Sequence, residues 1–158
     1  MIPATTRRKS LSQRGMTLLE LMIASFIIVI LSTAALPAVR FAVIRPREAE
    51  LRRDLREMRD AIDRYKDYGD RHLIQTAFGS ENFPPDLETL VKGVNYAGGT
   101  KVRFLRRIPV DPMTGHADWN FQSIQDDPDS TSWGGGNIFD VHSKSQATAL
   151  DGTRYSDW

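Results

Sequence analysis

The residues that could do chemistry are few and scattered. The sequence has no cysteine, which excludes disulfides and thiolate metal sites. His72, His116 and His142 do not have the spacing of a metal site. The glycines at residues 134–136 lack the Lys and Ser/Thr of a phosphate-binding loop. We therefore expect no catalytic residue and interpret the chain as a protein that is not an enzyme.

One acid is unusual because of its surroundings. Glu20 is the single charged residue among the 25 residues between Arg14 and Arg40, which are rich in Leu, Ile, Val, Ala and Met. A carboxylate in such an apolar helix costs roughly 2.5–3.5 kcal/mol on membrane-insertion scales, and it usually marks a functional contact. Glu20 therefore predicts a positively charged partner. The alternative is an interfacial residue close to Arg14.

The apolar segment around Glu20 is long enough to span a membrane. As a helix, 25 residues extend ~37 Å, whereas the hydrocarbon core of a bilayer is ~30 Å thick. Two interpretations are a cleaved secretory signal, with Thr33-Ala34-Ala35 as its site, and an uncleaved signal anchor. Basic residues flank both ends of the segment, so charge counting alone does not fix its orientation.

The residues just before Glu20 favour a third interpretation. The run RGMTLLE at residues 14–20 ends a short basic stretch and resembles the prepilin-peptidase site of type IV pilins and pseudopilins. The resemblance implies a leader at residues 1–15, cleavage after Gly15, and a mature chain whose first residue, Met16, is N-methylated. That family usually begins with Phe, so Met16 is a departure from its pattern.

The same resemblance implies roles for two residues in filament assembly. Glu20 would be the fifth mature residue, which pairs with the N-terminal amine of the neighbouring subunit. That amine is mostly protonated at neutral pH. Two unit charges ~4 Å apart at an effective dielectric constant of ~20 attract by about 4 kcal/mol, and desolvation reduces that value. Pro37, the twenty-second residue from Met16, matches a family proline where the helix can melt and extend. Its alternative role is to mark the end of a membrane span.

Residues 16–40 and 41–69 are predicted to form the two halves of one long helix, the first a transmembrane and filament-core segment, the second amphipathic. Gly69 is the expected end of the helix. The charged face of the second half is predicted to be a solvated surface or a contact with neighbouring subunits. Its apolar stripe consists of Leu51, Leu55, Met58, Ile62 and Tyr65, and its predicted ion pairs are Glu48–Arg52, Arg53–Glu57, Arg56–Asp60, Arg59–Asp63 and Asp60–Arg64.

Residues 70–158 predict a globular domain, expected in the periplasm, with one short helix and three short strands. The helix is expected at residues 86–93, with Asp86 as N-cap and Gly93 as stop. We expect strands at residues 101–105, 117–124 and 137–142. The predicted fold class is α+β, in which the long N-terminal helix packs against a small antiparallel sheet.

Two further segments resemble the major, G-type pseudopilins of type II secretion. Residues 104–112 (FLRRIPVDP) are similar to a stretch that contains an Asp-Pro turn, although the family's following Trp-Gly-Asn-Pro is replaced at residues 113–116. Residues 138–158 resemble the end of that family, which implies that Ca²⁺ is bound by Asp151 and Asp157 with Ser143 nearby, since calcium takes oxygen ligands. The alternative is a polar turn closed by Trp158.

Together the resemblances imply a structural subunit of a type II secretion pseudopilus, which helps to export folded proteins. The alternatives are a surface type IV pilin used in adhesion, motility or DNA uptake, and a signal-anchored periplasmic binding or enzymatic domain. The expected location is the inner membrane, crossed once, and then a periplasmic or surface filament. A net charge of +1 indicates no nucleic-acid partner. The implied partners are further copies of the chain, minor pseudopilins, the assembly ATPase and platform proteins, prepilin peptidase, and membrane lipid before assembly.

Overall fold

The structure, a computed structural model, describes residues 15–158 except 129 and 131, and it does not describe the side chains of residues 34–40. The chain divides into two compact units, one ending at Arg40 and the other running from Phe41 to Trp158. The fold is α+β, as predicted. Its elements are α1 (Leu18–Asp70), α2 (Leu87–Lys92), β1 (Val94–Asn95), β2 (Lys101–Val102), β3 (Trp119–Gln122), β4 (Asp140–Ser143) and a 3-10 turn (Tyr155–Asp157).

The predicted apolar stripe of α1 forms the centre of the core in the second unit. All five of its residues are buried, and Met58 and Ile62 are completely inaccessible. The stripe forms because these residues recur every three or four positions and so share one side of the helix. The rest of the chain supplies the other buried core side chains, which include Ile74, Phe83, Leu87, Leu90, Phe104, Leu105, Trp119, Ile138, Val141 and Tyr155.

Helix α1 ends one residue after the predicted stop. Gly69 lies inside the helix, and a Cβ atom added there would come within 2.8 Å of the Asn82 Cβ. The glycine is therefore explained by close packing and not by a turn after the helix. The carboxylate of the last helical residue, Asp70, accepts hydrogen bonds from Lys66 Nζ at 2.8 Å and from Asn82 Nδ2 at 2.9 Å.

The short helix α2 confirms the capping pattern in the sequence. The carboxylate of Asp86 accepts a hydrogen bond from the backbone N–H of Thr89 at 2.6 Å, which satisfies one of the free donors of the first turn. Gly93 follows the helix with a φ of 77°. This left-handed conformation favours glycine.

The strands form two separate antiparallel pairs, where one sheet of three strands was expected. β1 pairs with β2, and β3 pairs with β4 with Trp119 opposite Ser143. The predicted strand at residues 101–105 stops at Val102 because the next backbone N–H groups serve another partner. Phe104 and Leu105 both donate to the carbonyl of Leu90 in α2, at 3.0 and 3.1 Å.

The Asp-Pro segment forms the predicted turn and also links two parts of the core. The buried carboxylate of Asp111 accepts the backbone N–H of Met113 at 2.7 Å. Its other oxygen accepts the hydroxyl of Ser143 at 2.6 Å. Nearby, the indole N–H of Trp119 donates to the Pro109 carbonyl at 3.1 Å. The segment is thus fixed to both β3 and β4.

The charged face of α1 differs from its prediction. Among the ion pairs of the described residues, none of the five predicted i,i+4 pairs occurs. Arg59 instead contacts the Asp140 carboxylate at 2.6 Å and the Val141 carbonyl at 3.1 Å. Arg64 donates to the Phe104 carbonyl at 2.9 Å. These arginines bind strand β4 and the segment after β2 to the helix.

The core predicts a large cost for shortening one stripe residue. Ile62→Ala should lower the free energy of unfolding by about 2–5 kcal/mol, because it leaves a cavity where no atom is accessible to solvent. Urea unfolding followed by tryptophan fluorescence, to which the buried Trp119 contributes, measures the change. Glu57→Ala, on the exposed side of the same helix, is the control and should change stability by less than about 0.5 kcal/mol. Equal effects of the two substitutions would contradict the assignment of the core.

Candidate functional site

The start of helix α1 leaves the predicted cleavage site outside regular structure. The Thr17 hydroxyl accepts the backbone N–H of Glu20 at 3.2 Å, and the Thr17 carbonyl accepts that of Leu21 at 3.1 Å. Thr17 is therefore the N-cap. Gly15 and Met16 precede the cap and are exposed. A peptide bond in this position is accessible to a protease.

Sequence reasoning missed the role of Thr17, although a signal for it was present. Thr17 and Glu20 have the Thr-x-x-Glu spacing that is typical of a helix N-terminus. A carboxylate in the first turn also interacts favourably with the partial positive charge at the start of the helix. Glu20 therefore has a local structural role in addition to its predicted contact with a partner.

Glu20 borders a shallow groove on the exposed surface of α1. The groove combines one carboxylate with several apolar side chains, so it is suited to an amine attached to an apolar chain. Its lining residues are Thr17, Leu19, Glu20, Ile23, Ala24 and Ile27.

The described part of the first unit exposes an unusually large apolar surface. Soluble monomers rarely expose contiguous apolar patches above a few hundred Å². Within the described residues, no helix is both long and apolar enough to cross a membrane. The predicted span at residues 16–40 stays a prediction. Within residues 15–33, the large apolar side chains that are at least half exposed are Met16, Leu18, Leu19, Leu21, Met22, Ile23, Phe26, Ile27, Ile28, Val29, Ile30 and Leu31.

The hydroxyl groups of this segment are all engaged within the helix. Ser25 donates to the Leu21 carbonyl at 2.8 Å, and Ser32 donates to the Ile28 carbonyl at 2.7 Å. Thr33 donates to Ile30, also at 2.7 Å. Side-chain hydroxyls commonly bond to the preceding turn in this way. Glu20 is the one charged side chain among residues 15–33, and it is exposed.

Two of the predictions fall partly outside the described residues. Residues 1–14 of the predicted leader lie outside them altogether. Pro37 lies within the bounds of α1, but its side chain is among those that the structure does not describe. The roles predicted for Gly15, Met16, Glu20 and Pro37 stay predictions.

One comparison with known proteins bears on this region. Residues 10–36 match the family model described as the prokaryotic N-terminal methylation motif. The matched range includes Gly15, Met16 and Glu20 and ends just before Pro37. The motif supports a type IV pilin-like protein with a prepilin-type signal. No curated protein and no solved structure matches the chain.

The three residues predicted to bind calcium have different partners. Ser143 is fully buried and donates to Asp111. The Asp151 carboxylate accepts the Thr153 hydroxyl at 2.6 Å and the Arg52 guanidinium at 3.2 Å. Asp157 accepts the Ser156 hydroxyl at 3.0 Å. Hydrogen bonds thus direct these three oxygen groups to separate partners.

These residues are a poor fit to a calcium site. Calcium requires six to eight oxygen ligands around one point. Among the described residues, no group of three or more His, Asp or Glu side chains could hold a metal ion. The hydrogen bonds from Thr153 and the nearby Arg52 charge hold the pKa of the Asp151 carboxyl below its usual value. Calcium binding by Asp151, Asp157 and Ser143 stays a prediction.

The C-terminal segment, residues 147–158, is held instead by two α1 residues that sequence reasoning assigned to each other. Glu48 accepts the backbone N–H of Leu150 at 2.8 Å and the hydroxyl of Tyr155 at 3.0 Å. The Arg52 guanidinium contacts Asp151 and lies 4.0 Å from the centroid of the Trp158 ring. Glu48 and Arg52 are four residues apart, which predicted only an ion pair within the helix. Spacing along the sequence does not show partners that are distant in the chain.

The Tyr155 contact predicts a loss of stability at high pH. Burial, together with the hydrogen bond to Glu48, raises the pKa of Tyr155 from 10.0 to about 12. Because the folded-state pKa is the higher one, this stabilisation is present below pH 10 and is lost as the pH rises towards 12. The stability difference between the wild-type chain and Tyr155→Phe should therefore shrink by about 2–3 kcal/mol over this range.

Urea unfolding at a series of pH values measures this difference. Tyr96→Phe, at a tyrosine whose ring packs on Tyr68, is the control, and its stability difference from the wild type should show no comparable decrease. A pH-independent gap between the wild type and Tyr155→Phe would show that the Tyr155–Glu48 contact does not favour the neutral hydroxyl.

Proposed function

We propose that the chain is a structural subunit of a type II secretion pseudopilus, which assembles through its N-terminal helix and helps to export folded proteins. The observation that carries this proposal is the exposed apolar surface at residues 16–31 with Glu20 near its start, within a match to the N-terminal methylation motif. Such a surface requires apolar surroundings, and copies of the same helix supply them in a filament. The role is mechanical and needs no catalytic residue.

Processing is the first step of the proposed function. Prepilin peptidase cleaves after Gly15, which lies outside helix α1 and is exposed. Removal of residues 1–15 then places a positively charged amine on Met16. N-methylation of Met16 retains that charge. Before assembly, the apolar segment is held in membrane lipid, with the C-terminal domain in the periplasm.

Assembly then brings the new amine to Glu20 of a neighbouring copy. The groove beside Glu20 offers a carboxylate to the amine and the side chains of Ile23 and Ile27 to the apolar residues that follow it. Desolvation offsets much of the Coulomb attraction between the two charges. The pair therefore sets the axial register of the subunits, while the apolar side chains supply most of the free energy, at roughly 1.5–3 kcal/mol for each one fully buried.

The further partners follow from this proposal. Minor pseudopilins, the assembly ATPase and the membrane platform proteins would act on a subunit that has this N-terminal helix. The second candidate is a surface type IV pilin, because the matched motif does not distinguish pseudopili from pili. The resemblance of residues 104–112 to G-type pseudopilins, and the lack of cysteine, favour the secretion role.

Processing predicts a defined mature N-terminus. In cells with prepilin peptidase, mass spectrometry should find a chain that begins at Met16 and carries one additional methyl group. In cells that lack the peptidase, residues 1–15 and an unmethylated Met16 should remain. Gly15→Val should behave like the peptidase deletion, because it changes the residue at the cleaved bond. An intact leader in both strains would overturn the processing step.

The charge of Glu20 predicts a specific assembly defect. Glu20→Gln keeps the size of the side chain and removes its charge, so filament formation should fall at least tenfold, equivalent to about 1.4 kcal/mol for each subunit contact. Filament yield, measured by shearing and sedimentation, reports the effect. Ser25→Ala, in the same segment, is the control because the Ser25 hydroxyl bonds only to its own helix. Filaments of Glu20→Gln at wild-type yield would refute the pairing.

A further inference from the structure

Arg52 lies between a carboxylate and an aromatic ring of the C-terminal segment. Its Nη2 atom is 3.2 Å from Asp151 Oδ2, and its Cζ atom is 4.0 Å from the centroid of the Trp158 ring. A guanidinium between a carboxylate and an aromatic face makes an ion pair on one side and a cation–π contact on the other. The other oxygen of Asp151 is already bonded to the hydroxyl and N–H of Thr153.

Glu48 adds the opposite charge one helical turn earlier. It accepts hydrogen bonds from the Leu150 backbone and from the Tyr155 hydroxyl, at 2.8 and 3.0 Å. Residues four apart lie on the same side of a helix. Two α1 side chains of opposite charge therefore bind both polar and aromatic groups of the C-terminal segment.

The C-terminal segment is closed by its own contacts as well. The Trp158 indole donates to the Thr153 hydroxyl at 2.7 Å, and its ring packs edge-on against Tyr155 with centroids 5.1 Å apart. Thr148 and Arg154 form a β-bridge across the segment. Within this segment, Asp151 and Trp158 face the same guanidinium.

We propose that the Arg52 guanidinium supplies the positive charge that holds the C-terminal segment on α1. The segment therefore docks on the helix without calcium or another divalent ion. Arg52 supplies a fixed positive charge to the carboxylate that the resemblance to pseudopilins assigns to calcium. A divalent ion at Asp151 would be repelled by the guanidinium already in contact with it. The inference goes beyond the filament proposal and does not depend on it.

The contact also explains why an arginine suits this position. A lysine at residue 52 would keep the positive charge but would lose the planar group that stacks on an aromatic ring while it bonds to a carboxylate. The contact is partly exposed, so each of its two parts is modest by itself. Because one side chain makes both the ion pair and the cation–π contact, it fixes the position of the C-terminal segment on α1 more specifically than either contact would alone.

Thermal unfolding of the full chain in detergent micelles tests the proposal, with millimolar calcium or with EDTA. For the wild type, Tm should be the same in both. Arg52→Gln should lower Tm by roughly 3–6 °C and speed amide exchange in residues 147–158, because the segment loses its cation. Arg52→Lys should fall between the two, since it restores the charge without the stacking.

Arg53→Gln is the matched control. Arg53 is the next residue on the same helix and is more exposed, and it contacts only Glu50 and Asp54 among the ion pairs of the described residues. Its substitution should leave amide exchange in residues 147–158 almost unchanged, and this local readout is the one compared, because Arg53 also neutralises the buried Asp54 carboxylate. A wild-type Tm that rises with calcium and falls with EDTA would overturn the proposal, and so would equal effects of the Arg52 and Arg53 substitutions on exchange in residues 147–158. Processing and polymerisation have separate readouts, so this proposal and the filament proposal can fail independently.

Discussion

Burial of one stripe of α1 is the interaction on which the second unit depends. The strands are only two to four residues long and occur in pairs, and α2 has six residues. An isolated two-stranded sheet is marginally stable in water, and a helix of that length is not stable alone. These elements need a fixed apolar surface to pack on. The residues from Leu51 to Tyr65 provide it, because the helical repeat aligns them over four turns.

Polar contacts from the same helix then determine how the rest of the chain lies on that surface. Arg59 holds strand β4, and Arg64 holds the loop that follows β2. Glu48 and Arg52 hold the C-terminal segment. Hydrogen bonds that involve a charged group are about twice as strong as neutral ones. The apolar side of the helix therefore supplies most of the stabilising free energy. Its charged side determines where the other elements pack.

The sequence predicts the features that depend on local spacing. The stripe and the Asp86 cap are confirmed, since neighbours three or four residues apart determine both. The long-range partners of Arg52 and Arg59 could not be found in this way, because residues separated by 99 and 81 positions come together only in the folded chain. An ion pair between residues four apart on a helix contributes only about 0.2–0.5 kcal/mol. The tertiary contacts of Arg52 and Arg59 therefore take the place of the predicted pairs within the helix.

Asp54 was not predicted to be buried, because an acid is expected on the exposed side of a helix. It lies between Leu51 and Met58 on the buried side, and burial raises the pKa of its carboxyl.

The hydroxyls of Ser25, Ser32 and Thr33 give the first helical segment a particular freedom. Each one is bonded to a carbonyl of its own helix, so none of them needs water or a neighbouring molecule as a partner. The segment can therefore exchange one apolar surrounding for another without breaking a side-chain hydrogen bond. Glu20 is the one charged side chain among residues 15–33, so its carboxylate is the group of this segment that needs a new polar partner wherever the helix is buried.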